Sequence, residues 1–179
     1  MASLSFMSTS RWTSTDLPDL ADRVVVVTGA GECAGGLKTE TTGGAGAHVV
    51  LAVRDLEKGK AASEQISGDT EVRTLDLADL ASVRTFAENW TGPLDVLINN
   101  AGIMAVPEGR TVDGFELQIG TNHLGPFLLT SLLLPSITDR VVTVTSQLHS
   151  RAKIDLEDLN WERRKYNSMR AYSDSKLAN

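Results

Sequence analysis

The chain has 179 residues, a formal charge of −6 and a sequence pI near 5.0. At that length folding buries roughly 70% of the unfolded surface, enough for one domain with a real core. The acidic balance excludes a nucleic-acid partner, and the basic run Arg163–Arg164–Lys165 is too short to make a binding patch.

A lone cysteine, Cys33, rules out an internal disulfide and fits a reducing cytosol. No apolar run reaches the roughly 20 residues of a bilayer span. The Ser/Thr-rich first fifteen residues lack a secretory hydrophobic region. A cytoplasmic protein with no membrane partner is expected. Residues 1–20 read as an N-terminal extension, in which Met7 is an alternative start, and residues 21–179 as one domain.

From Arg23 onward, short apolar runs alternate with helical patterns. Val24–Val27, Val49–Val53, Val72–Leu75, Val96–Ile98 and Val141–Val144 read as parallel strands buried on both faces. Glu57–Ile66 and Ala81–Trp90 read as helices, the second capped by Asp79. Phe115–Leu134 reads as one long helix containing Gly125–Pro126, and a last helix begins near Ser168. The alternation predicts an α/β fold built of right-handed βαβ units, a Rossmann-type doubly wound parallel sheet.

The first strand leads into Thr28-Gly29-Ala30-Gly31-Glu32-Cys33-Ala34-Gly35. A strand, a glycine-rich turn and a helix N-terminus form an anion site, because free N–H groups and the helix dipole point at a pyrophosphate. Gly29-x-Gly31-x-x-Ala34 fits the general dinucleotide fingerprint. The following segment is a poor helix, with Gly36, Gly43 and Gly44 each costing roughly 1 kcal/mol relative to Ala. At the end of the second strand, Arg54 suits the 2′-phosphate of NADP, whereas Asp55 suits a free ribose hydroxyl and keeps NAD open. Glu32 would oppose a phosphate. The balance favours NADP.

Tyr172 and Lys176 stand four residues apart, on one face of a helix. A phenol titrates near pH 10 and is a poor acid–base group at neutrality, and a nearby ammonium stabilises its phenolate. Asn122 interrupts a helical pattern. His123 and His149 read as packing and loop residues.

Taken in order, these segments resemble the short-chain dehydrogenase/reductase family. Thr28-Gly29-x-x-x-Cys33-x-Gly35 is similar to that family's TGxxxGxG loop with its middle glycine replaced. This register wins on spacing, because the interval from Gly29 to Gly46-Ala47 matches without a gap. Asn99-Asn100-Ala101-Gly102 resembles the NNAG motif, Arg140–Ser146 the strand that ends in the catalytic serine, and Tyr172–Lys176 the acid–base pair. The details at Ile103–Glu108, Phe115–Phe127 and Asp155–Trp161 are most similar to actinobacterial oxidoreductases of the retinol-dehydrogenase-like and protochlorophyllide-reductase-like group.

The resemblance implies hydride transfer between a nicotinamide and a carbonyl or secondary alcohol. Tyr172 would move the proton, and Ser146, preferred over Thr145, would bind the reacting oxygen. Lys176 would hold the ribose, and Asn122 a water that links the lysine to solvent. Thr28, Gly29, Gly31, Cys33, Gly35, Arg54, Asp76, Leu77, Asn99, Ala101 and Gly102 would line the cofactor, with Asp76 at the adenine amine; the plainer reading of Asp76 is a strand-end cap. Family members run on for roughly a hundred residues, so the chain is expected to be truncated and its sheet incomplete at the C-terminal edge. A homodimer or tetramer would form through the Phe115–Leu134 and Tyr172–Lys176 helices. An inactive nucleotide-binding fragment and a dinucleotide sensor are the alternatives.

Overall fold

The computed structural model of the chain describes residues 13, 16–30 and 41–179. Five parallel strands make one sheet: β1 (Val24–Thr28), β2 (His48–Val53), β3 (Thr70–Thr74), β4 (Leu94–Asn99) and β5 (Ile137–Thr143). They lie in the order β3-β2-β1-β4-β5. The chain therefore winds outward from β1 in one direction and then returns beside it in the other. That reversal opens a crevice at the carboxyl ends of β1 and β4, where doubly wound sheets bind ligands.

The central strands carry β-branched and Leu runs whose alternate residues serve two cores. Val26, Val50, Ala52 and Leu97 face one layer with Val83, Phe86, Leu129 and Leu133. Val25, Val27, Val49, Leu51 and Val53 face the other, against Ala62 and Ile66. Each large side chain so buried contributes roughly 1.5–3 kcal/mol. The strands at the two edges differ from the expectation of burial on both faces. β3 is mostly half-buried and β5 mostly exposed, with Val142 open to solvent, because each lacks a neighbour on one side.

Helices α1 (Leu56–Ser63) and α2 (Leu80–Glu88) start at Asp55 and Asp79, whose carboxylates accept from the first free backbone N–H groups. The expected single helix over Phe115–Leu134 is instead three pieces. α3 (Leu117–Ile119) begins late because the Glu116 carboxylate caps it. A π turn, Gly120–Leu124, follows, in which the Gly125 N–H donates to the carbonyl of Gly120, five residues back. α4 (Gly125–Leu133) then packs so closely that a Cβ at Gly125 would collide with the carbonyl of Leu77. A 3-10 turn, Gln147–Arg151, follows β5, and α5 (Ser168–Ala178) ends the described chain, capped by Asn167.

Part of the unfavourable glycine-rich segment has a packing reason. Gly43 is buried, and a Cβ there would lie 2.7 Å from Cγ2 of Ile66 and 3.1 Å from the carbonyl oxygen of Ser67. Helix propensity is sacrificed there for a close crossing of two backbones.

Candidate active site

One cavity opens at the crevice. Its floor and sides come from the ends of four strands: Gly29 after β1, Ala52–Asp55 across the end of β2, Leu75–Leu77 after β3, and Asn100–Ile103 after β4. Lys58 and Thr121 complete the lining. Gly29 has φ +68°, and a Cβ there would stand 2.8 Å from both Cα and Cβ of Ala101. Its absence lets the turn after β1 lie against the loop after β4. Gly29→Ala is expected to lower stability by roughly 1–2 kcal/mol for the left-handed backbone alone, with the steric contact adding to it. A shift of the urea midpoint reads this directly, and an unchanged midpoint would contradict the close approach.

Thr28 stiffens the same junction from behind. Its fully buried Oγ1 accepts from the N–H groups of Asn100 (3.1 Å) and Ala101 (3.0 Å), while its carbonyl accepts from the Asn100 side chain at 2.9 Å. Asn99 is buried and points the other way, its Nδ2 donating to Thr130 on α4. Thr28 and Asn99 therefore sit in the wall and not on the cavity lining. Gly29, Arg54, Asp76, Leu77, Ala101 and Gly102 do line it.

The rim near β2 is cationic. Arg54 and Lys58 are both exposed, and neither has an ion pair among the described residues. The Asp55 carboxylate between them is occupied, since its Oδ1 accepts from the N–H groups of Glu57 and Lys58 at 3.1 Å. Asp76 is similarly engaged, its Oδ1 accepting from the Ala78 N–H at 2.9 Å. Two exposed cations, beside a carboxylate that already caps α1 through one oxygen, suit a phosphate better than a bare ribose hydroxyl.

At the opposite end, α5 brings Lys176 against Gly102. The lysine is 5% exposed, its Nζ donates to the carbonyl of Val144 at 3.0 Å, and it lies 5.9 Å from the Tyr172 ring centroid. A Cβ on Gly102 would stand 3.3 Å from both this Nζ and the Oδ1 of Asn122. Asn122 sits in the π turn; its side chain exchanges two hydrogen bonds with the backbone of Ile103 and donates to Ser175 Oγ at 2.9 Å. The segment after β5 carries Thr145 and Ser146, past the expected strand end, and Thr145 reaches the C-terminal part of α5. Thr145 Oγ1 donates to the carbonyl of Lys176 at 2.6 Å, so that hydroxyl is spent. Ser146 Oγ accepts from the Leu148 N–H at 3.3 Å, which leaves its own hydrogen to donate. The ring of His149 lies against the carbonyl of Ser146, and His123 stacks on Phe127.

Behind the cavity lies a buried polar cluster. Glu116 Oε1 accepts from the Gln118 N–H and from Tyr166 Oη, at 2.9 and 3.0 Å, and its Oε2 from the Ile119 N–H at 2.7 Å. Burial pushes the Tyr166 phenol up to about 12, and the Glu116 carboxylate adds to the effect. Because the folded value lies above the ordinary 10.0, the contribution is fully present below pH 10 and fades as pH rises through about 12. Tyr166→Phe is expected to flatten the loss of stability between those limits, read as urea midpoint against pH. An unchanged slope would contradict the assignment.

Gly31, Cys33 and Gly35 of the phosphate loop lie outside the described residues. The sequence reading did not single out Lys58, Asn100, Ile103 or Thr121. Lys58 had a usable signal: a lysine in the first turn of a helix opposes the helix dipole, which calls for another reason to be there. Among the described residues no helix is long and apolar enough to cross a membrane, and no cluster of His, Cys, Asp or Glu could hold a metal.

The short chain dehydrogenase family model matches residues 23–154, and the chain belongs to that family. Human (Homo sapiens) retinol dehydrogenase 13 is 45% identical over 168 residues, covering 87% of this chain and 51% of that protein. The chain thus spans about half the length of the curated relatives it matches. The crystal structure of an uncharacterized protein from Mycobacterium Paratuberculosis is 58% identical, with a TM-score of 0.90 over 93% of this chain and 62% of that one. A metagenomic short-chain oxidoreductase crystallised in complex with NADP is 26% identical, with a TM-score of 0.71 over 89% of this chain and 72% of that one.

Proposed function

We propose that the protein is an NADP-dependent oxidoreductase that interconverts a carbonyl and an alcohol, with Tyr172, Ser146 and Lys176 as its reacting set. The observation that carries this reading is the polarity of one cavity at the sheet's switch point. Exposed Arg54 and Lys58, without an ion pair among the described residues, stand at one end, and Lys176 with the Tyr172 helix abuts Gly102 at the other.

The residues present fit a dinucleotide. Gly29 and Gly102 keep the floor free of side chains, and Arg54 and Lys58 offer charge-assisted contacts to a 2′-phosphate. When bound, the nicotinamide supplies or accepts the hydride. The chain's own groups handle binding and the proton. Ser146 Oγ–H donates to the reacting oxygen, and Tyr172 Oη gives or takes the proton on that oxygen. Lys176 binds ribose hydroxyls and stabilises the phenolate left by the transfer. Asn122 holds Ile103 and Ser175 together, keeping the loop after β4 at a fixed distance from α5.

The relative's name points to a retinoid alcohol as the first probe. Purified protein should quench or enhance NADPH fluorescence on binding and should consume NADPH with retinal or another aldehyde or ketone from a panel. Absence of NADPH binding would overturn the reading. Binding without turnover of any panel member would leave only the nucleotide-binding alternative. Assembly through α4 and α5 is supported by Phe127, Met169 and Leu177, which those helices expose.

A further inference from the structure

Gln118 lies one turn before Asn122 and is fully buried. Its carboxamide is saturated by three backbone or side-chain partners. Oε1 accepts from the Ala105 N–H at 2.9 Å, and Nε2 donates to the Ser168 carbonyl at 2.8 Å and to Tyr166 Oη at 2.9 Å. Ser168 is the first residue of α5, and Ala105 lies two residues beyond the cavity-lining Ile103. Among the described residues, Ala105 is also one of three non-glycine residues with positive φ, at 54°. Such a conformation costs of order 1–3 kcal/mol and persists only where its surroundings hold it.

Asn122 makes the same bridge one turn later, between Ile103 and Ser175. Two carboxamides on one helical turn therefore tie the loop after β4 to α5 at two levels, one beside Lys176 and one at the helix start. The deeper rung is braced in turn. Tyr166 stands between Gln118 and Glu116, and Glu116 N–H donates to Asn160 Oδ1 at 2.9 Å.

We propose that Gln118 is a positioning residue. Its carboxamide sets the spacing between the strained Ala105 loop and the start of α5, and so fixes where Tyr172 stands relative to the cavity. This rests on the reading of Tyr172 as the proton-transfer group. A Gln118→Met variant keeps the length and apolar bulk while removing every hydrogen bond of the carboxamide. Tyr166→Phe keeps the carboxamide and loses one partner, providing a milder variant if the first fails to fold.

In the purified protein, Gln118→Met is expected to lower kcat for the reduced carbonyl about tenfold or more, with NADPH affinity by fluorescence changed less than about threefold. Amide exchange at residues 103–106 should rise without a matching rise in the central strands. Tyr166→Phe should show the same pattern at smaller amplitude. Loss of NADPH affinity in step with kcat, or unchanged kcat and exchange in a folded Gln118→Met protein, would overturn the proposal. Failure of the parent reading looks different, because a Tyr172→Phe protein would then still turn over.

Discussion

Replacing Tyr172 with Phe is expected to reduce turnover by roughly 10²–10⁴-fold while leaving NADPH affinity within about threefold of the parent. The substitution removes one oxygen and retains the ring, so the packing of α5 persists. The neighbouring polar groups among the described residues already have partners. Thr145 Oγ1 is committed to the Lys176 carbonyl, and Lys176 is held by the carbonyl of Val144. His149 is turned toward the carbonyl of Ser146. Ser146 Oγ accepts from the Leu148 N–H and keeps its own hydrogen to donate, so it can orient an oxygen. Steady-state kinetics with a carbonyl from the panel, paired with a fluorescence titration, separates the two effects. Retained kcat would remove Tyr172 from the mechanism; lost NADPH affinity would make it a binding residue instead.

Replacing Arg54 with Ala is expected to weaken NADPH binding by roughly 10–100-fold, the value of one charge-assisted contact of about 1.5–3 kcal/mol, and to leave NADH binding nearly unchanged. The asymmetry follows from what each cofactor offers at that rim. A 2′-phosphate presents charge to the guanidinium; a hydroxyl does not. Asp55 cannot readily serve the hydroxyl instead, because one of its oxygens already caps α1. Lys58→Ala should shift preference in the same direction by less, since an ammonium meets a phosphate as a point charge and not as a fork. The ratio of the two dissociation constants is the measurement, and equal loss for both cofactors would show that Arg54 only shapes the rim.

Much of this architecture was legible in the residues. The β-branched runs announce five strands because a parallel strand buried on two faces has no polar face to show, and those runs lie within β1, β2 and β4 almost to the residue. Asp79 was identifiable as a cap because an aspartate just before an apolar-periodic segment satisfies the orphan N–H groups. The order of the glycine loop, Asn99–Gly102, Ser146 and Tyr172–Lys176 identified the family, since each motif answers a local demand of backbone approach or acid–base spacing. Those demands are set within a few residues of chain, which is why one chain suffices to see them.

Only the tertiary structure decided which of these groups are free to act. Asn99 and Asn100 are indistinguishable in the motif, yet one faces Thr130 and the other the cavity, because successive residues leaving a strand point to opposite sides. Ser146 is preferred over Thr145 by resemblance alone, and only the fold shows the Thr145 hydroxyl committed to the carbonyl of Lys176. The break of Phe115–Leu134 into α3, a π turn and α4 is accompanied by a close approach of Gly125 to the carbonyl of Leu77, far apart in the chain. The bridge at Gln118 spans from Ala105 to Ser168, and no local pattern encodes a partner at that separation. Local backbone chemistry is written in the sequence, whereas the commitment of each polar atom is settled by what the fold brings beside it.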